Sequence, residues 1–137
     1  MRSRLSALAL AALVGIGVAS APAASAQPSI DFKYTPIVAA DDPTFRVTWK
    51  WDVSNRSHDE TAERIVLVHK IITPDWKVSG ASDECTVVDD VTVQCEYSNV
   101  GPQQWRRGKL WTDPTVENPG GVQLEVTISQ PDPAAAP

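Results

Sequence analysis

Phe45-Arg46-Val47-Thr48-Trp49-Lys50-Trp51-Asp52-Val53 alternates apolar and polar side chains over nine residues. Phe45, Val47, Trp49, Trp51 and Val53 fall on one face. Arg46, Thr48, Lys50 and Asp52 fall on the other. A period of two sustained this long is an extended strand with one face on a core and one in water, not a helix. Trp49 and Trp51 are therefore expected in the core.

The same period recurs on both sides. Ile30, Phe32 and Tyr34 alternate with Asp31 and Lys33. Val122, Leu124, Val126 and Ile128 alternate with Gln123, Glu125 and Thr127. Ile65 to Thr73 is β-branched and apolar on both faces apart from His69 and Lys70, as in an interior strand. Trp76 to Ser79, Thr86 to Val88, Val91 to Tyr97 and Lys109 to Thr112 are further strand candidates. Turn residues separate them: Asp42-Pro43, Ser54 to Asp59, Thr73-Pro74-Asp75, Ser79 to Glu84, Gly101-Pro102, Asp113-Pro114 and Asn118 to Gly121. About seven or eight short strands at this spacing predict an antiparallel β-sandwich, with a small closed barrel as the alternative.

The chain has 137 residues, enough for one domain. Its formal net charge of −5 and its lack of a long basic run argue against nucleic acid as a partner. The N-terminus has the parts of a secretory signal peptide: Arg2 and Arg4, then apolar Leu5 to Val18, then Ala24-Ser25-Ala26. The apolar run is 14 residues, shorter than the roughly 20 that span a bilayer. We therefore expect cleavage after Ala26, a secreted protein without a membrane span, and, from the style of the leader, a bacterial one. Residues 27–129 are the expected domain, and 130–137 (QPDPAAAP) a disordered or extended Pro/Ala-rich tail. The processed chain carries 10 basic against 17 acidic residues, a charge of −7.

Cys85 and Cys95 flank Asp89-Asp90, a two-residue turn candidate. In an oxidising compartment they should pair. The surrounding Asp83, Glu84, Asp89, Asp90 and Glu96 disfavour a thiolate, so a structural disulfide is expected rather than a reactive thiol.

From Phe45 to about Gln104 the chain resembles the immunoglobulin-like domain repeated in many bacterial surface and secreted proteins, filed as number eleven among the domains of unknown function. The residues that carry the resemblance are VTWKWDVSN (Val47 to Asn55), ERIVLVHKIITPDW (Glu63 to Trp76), Cys85, Cys95 and Gly101. Arg56-Ser57-His58-Asp59 stands where the family has Gly-Pro, and there is one unit where the family has arrays. The resemblance implies an immunoglobulin-like fold and no catalytic residues.

Candidate chemistry is sparse. Ser57-His58-Asp59 has the residue types of a nucleophilic triad, but consecutive residues cannot converge into its relay of hydrogen bonds. His58 and His69 lack metal-ligand spacing, and Asp41-Asp42, Asp83-Glu84 and Asp89-Asp90 lack that of a calcium loop. No cofactor and no enzymatic activity are expected. The most informative stretch is Trp105-Arg106-Arg107-Gly108-Lys109-Leu110-Trp111. If it is extended without interruption, Trp105, Arg107, Lys109 and Trp111 share one face and Leu110 points inward. Two rings and two cations on an acidic protein suit an anionic envelope glycan or a protein partner. A bulge at Gly108 would instead turn the rings inward. The expectation is thus a secreted, non-enzymatic binding or scaffolding domain at the cell envelope or in the medium. The alternative is a secreted inhibitor or effector that presents a loop to another protein.

Overall fold

A computed structural model describes residues 7–10, 27–38 and 45–132. The described residues form an antiparallel β-sandwich without helix. Its strands are β1 (Ala7–Leu10), β2 (Ile30–Val38), β3 (Val47–Asn55), β4 (Ala62–Ile71), β5 (Trp76–Ala81), β6 (Cys85–Asp89), β7 (Thr92–Val100), β8 (Trp105–Pro114) and β9 (Leu124–Ser129). One sheet has the order β1-β9-β4-β7-β6 and the other β2-β3-β8-β5. Eight of the strands lie from Ile30 onward.

The alternating strand is the interior strand β3, held between β2 and β8. Val47, Trp49, Trp51, Val53 and Leu110 press inward onto Ile65, Leu67, Val93, Tyr97, Val126 and Ile128 of the facing sheet. β4, apolar on both faces, is an interior strand between β9 and β7. Asn55 ends β3 as a buried turn-maker: its Nδ2 donates to Glu60 O at 2.7 Å and Val100 O at 3.0 Å. The β6–β7 turn places Cys85 directly opposite Cys95, and the two are bonded. Removing the bond by Cys85→Ala with Cys95→Ala is expected to cost roughly 3 kcal/mol, because an 11-residue loop is no longer closed in the unfolded chain. Urea unfolding with and without reductant checks this: reductant should shift the native chain to the variant's midpoint and leave the variant unmoved.

Two sequence expectations change. Phe45 is not on the core face. Its φ is 58° and its side chain is 61% exposed, so the pleat begins only at Val47. A left-handed residue breaks the alternation that period-two reading extrapolates. The expected short strand Lys109 to Thr112 is the ten-residue β8, because its inward positions include Arg106 and Gly108, which read as polar or as breakers. Ala7–Leu10, inside the expected leader, pairs with β9. Gln130, the first residue of the expected tail, is tied to the domain: Gln27 Nε2 donates to its carbonyl at 2.7 Å, and its own Nε2 donates to Pro28 O at 2.9 Å. Residues 133–137 lie outside the described residues.

Candidate functional site

β8 pairs with β3 in continuous register from Val47↔Thr112 to Ser54↔Trp105, with no bulge at Gly108. Gly108 faces inward. A Cβ there would stand 2.5 Å from Trp51 Cζ2 and 2.6 Å from Glu84 Oε2, so the indole of Trp51 fills the place a side chain would take. With alternation preserved, Trp105, Arg107, Lys109 and Trp111 all face outward, and Leu110 is fully buried.

The cations lie against the rings. The Arg107 guanidinium is 4.4 Å from the Trp105 ring centroid, and Lys109 Nζ is 5.5 Å from that of Trp111. Trp105 is 53% exposed. Trp111 is half-buried, with its ring edge against Gly80, where a Cβ would stand 3.2 Å away. Such contacts hold long cationic side chains along an apolar surface with their heads in water.

Register brings further charge to this face. Asp52 lies opposite Arg107, and the pair is bridged at 2.8 Å. Both groups are exposed, so the bridge adds little stability. Lys50 lies directly opposite Lys109, and both are exposed. Like charges placed opposite each other repel, an arrangement an anion relieves. Thr35, Lys50, Asp52, Arg107 and Lys109 line a shallow depression of about 510 Å³ there. None of this could be read along β8 alone, because Lys50 reaches the site only through the pairing of β3 with β8.

A second hollow, missed by the sequence reading, lies between the sheets. Tyr34, Val38, Phe45, Trp49, Trp76 and Val122 line a cleft of about 790 Å³. Its indole N–H groups are already used: Trp49 donates to Thr112 Oγ1 at 3.1 Å and Trp76 to Gly120 O at 2.9 Å. Ring faces and aliphatic groups therefore dominate the hollow, with Glu117, Asn118 and Gln123 at its loop side.

The other candidates form no chemical constellation. Ser57 Oγ accepts from the N–H of Asp59 and Glu60 at 3.3 and 3.0 Å, which makes the segment a polar turn. His69 is buried in β4, paired with the Tyr34 hydroxyl and stacked on Trp51 with centroids 4.3 Å apart. Burial pushes its pKa down to about 3. Burial also raises Tyr97, with its O–H donated to Glu84 Oε2 adding to the shift. Among the described residues, no group of three His, Cys, Asp or Glu could hold a metal ion. Asp41-Asp42 lies outside them. No helix among the described residues is long and apolar enough to cross a membrane.

No family model matches this chain. No curated protein matches it. Among solved structures it is similar to the solution structure of a chitin-binding domain from Streptomyces coelicolor. The identity is 14% and the TM-score 0.44, covering 70% of this chain and 90% of that one. A similarity of that strength bears on neither the fold nor the ligand of this chain.

Proposed function

We propose that this chain is a secreted, non-enzymatic binding domain of the cell envelope, and that the outward face of β8 holds an extended anionic glycan. The observation that carries the reading is the unbroken row Trp105, Arg107, Lys109, Trp111 facing water beside Lys50, on a chain whose net charge is −5. Aromatic rings offer apolar faces to sugar rings, and the opposed lysines offer charge to carboxylate or phosphate groups. On this reading the chain is a single copy of the immunoglobulin-like domain of bacterial surface and secreted proteins. The spacing of its alternating strand, Asn turn and cysteine hairpin supports that placement.

Co-sedimentation with purified envelope from the producing cells tests the reading. The native chain should be retained at low salt and released as salt rises, since exposed ion pairs are screened. Trp105→Ala with Trp111→Ala should weaken retention by about tenfold or more, equivalent to about 1.4 kcal/mol. Lys50→Ala should flatten the salt dependence. No retention of the native chain at low salt sinks the glycan reading and favours capture of a soluble protein.

A further inference from the structure

Sheet edges present unpaired N–H and C=O groups, and folded proteins blunt them with charge, proline or bulges. β2 carries Lys33 and Pro36. β5 carries Lys77 and a bulge between Val78 and Gly80. β6 carries a bulge between Val87 and Asp89. β9 has no lysine, proline or bulge: its one charge is Glu125, and its six residues run in unbroken register along β4. Its outer edge is taken instead by Ala7–Leu10, paired antiparallel from Ala7↔Ser129 to Leu10↔Val126. Those four residues belong to the segment whose sequence reads as a cleaved leader.

The ladder shows which groups that edge offers. Ile71 N–H donates to Val91 O on the β7 side, and Ile72 N–H donates to Gln123 O on the β9 side. Alternation then aims the N–H and C=O of Glu125, Thr127 and Ser129 at β4, and those of Leu124, Val126 and Ile128 at the edge.

A second feature lies on the same side. β2 of one sheet sits over β9 of the other, joined through Gln27, Pro28 and Gln130. The 790 Å³ cleft opens at the Val38 end of β2 and reaches Leu124 at the start of β9, with Val38 and Phe45, each 61% exposed, in its lining. An unblocked edge and an apolar hollow thus share one flank of the sandwich.

The geometry points to this flank as a homodimer interface of the processed chain, with β9 paired antiparallel to β9 of a second copy where Ala7–Leu10 sits. The pairing is self-complementary, as a two-fold contact requires. With the axis at Thr127, Val126 of one copy stands opposite Ile128 of the other, and the edge-directed groups of both are satisfied. Thr127 meets Thr127 and Glu125 meets Ser129, so no like charges oppose each other. The sheet becomes continuous across the two copies. The leader occupies the edge until it is removed, so dimerisation follows export. The proposal goes beyond glycan binding and leaves the β8 face free.

Sedimentation and amide exchange on residues 27–137 and on the full chain test this. Among the residues whose side chains are described, every buried core side chain and the disulfide lie between Val47 and Ile128, so the processed chain retains the fold. The processed chain should sediment as a dimer, with the amides of Leu124, Val126 and Ile128 protected, and the full chain as a monomer. Thr127→Lys sets two ammonium groups across the axis and should weaken the dimer by about tenfold or more and free those amides. Thr127→Ser should leave the dimer intact. A processed chain that stays monomeric at high micromolar concentration overturns the proposal. A dimer that survives Thr127→Lys with the three amides exchanging freely overturns it equally.

Discussion

Trp51→Ala is expected to lower the unfolding free energy by about 4 kcal/mol, within the range for emptying a large aromatic from a core. The Trp51 side chain is 2% exposed. It lies between the sheets, stacked on His69 at 4.3 Å, edge-on to Tyr34 at 6.3 Å and across the bare backbone of Gly108. Its Nε1 donates to the Tyr97 hydroxyl at 2.9 Å, and that hydroxyl donates to Glu84 Oε2 at 2.6 Å. Alanine would leave a cavity against Gly108 that no neighbouring side chain grows to fill, and would take a donor from a buried hydroxyl. Urea unfolding should show a lower midpoint at unchanged slope. Trp51→Phe, which restores part of the volume but not the donor, should fall between the two. A loss below about 1 kcal/mol for alanine would mean that the sheets close over the gap.

Acid should unfold the protein through His69 before the carboxylates dominate. The imidazole is 1% exposed, and its Nε2 has no hydrogen-bond partner among the described residues. Burial holds its folded pKa at about 3, against 6.5 for an ordinary histidine. The unfolded chain therefore binds the proton more readily than the folded one. Stability from this group is fully present above pH 6.5 and is lost as pH falls from 6.5 toward 3. The slope is about 1.4 kcal/mol per pH unit, so about 2 kcal/mol is gone by pH 5. His69→Gln removes the titration and should flatten the unfolding free energy between pH 6.5 and 5, whatever it costs at neutral pH. A native chain with no slope in that window would contradict the buried, neutral state. Below pH 4 a second, smaller loss follows from Asp113, whose carboxyl is held below its ordinary value chiefly by hydrogen bonds from Arg46 at 2.8 and 3.1 Å.

The candidate face was legible to a degree that depended on where its residues lie. Trp105, Arg107, Lys109 and Trp111 come from one strand, so strand periodicity alone proposes their common face. Whether Gly108 interrupts that strand is not a local question. It turns on Trp51, 57 positions away in sequence, whose ring occupies the slot above Gly108 and lets the pleat continue. Lys50 is likewise read on the polar face of its own strand, but its place opposite Lys109 depends on how β3 and β8 register.

By itself the sequence determined the all-β sandwich, the inward rings of Trp49 and Trp51 and the hairpin that carries Cys85 and Cys95. These follow from a side-chain period of two and from turn residues close by in the chain, and both are local properties. Only the tertiary structure decided the length of β8, the exposure of Phe45, the cleft beneath it, the burial of His69 and the pairing of Ala7–Leu10 along β9. Each of those depends on which distant strand lies alongside, and so on packing and pairing that no window of sequence contains.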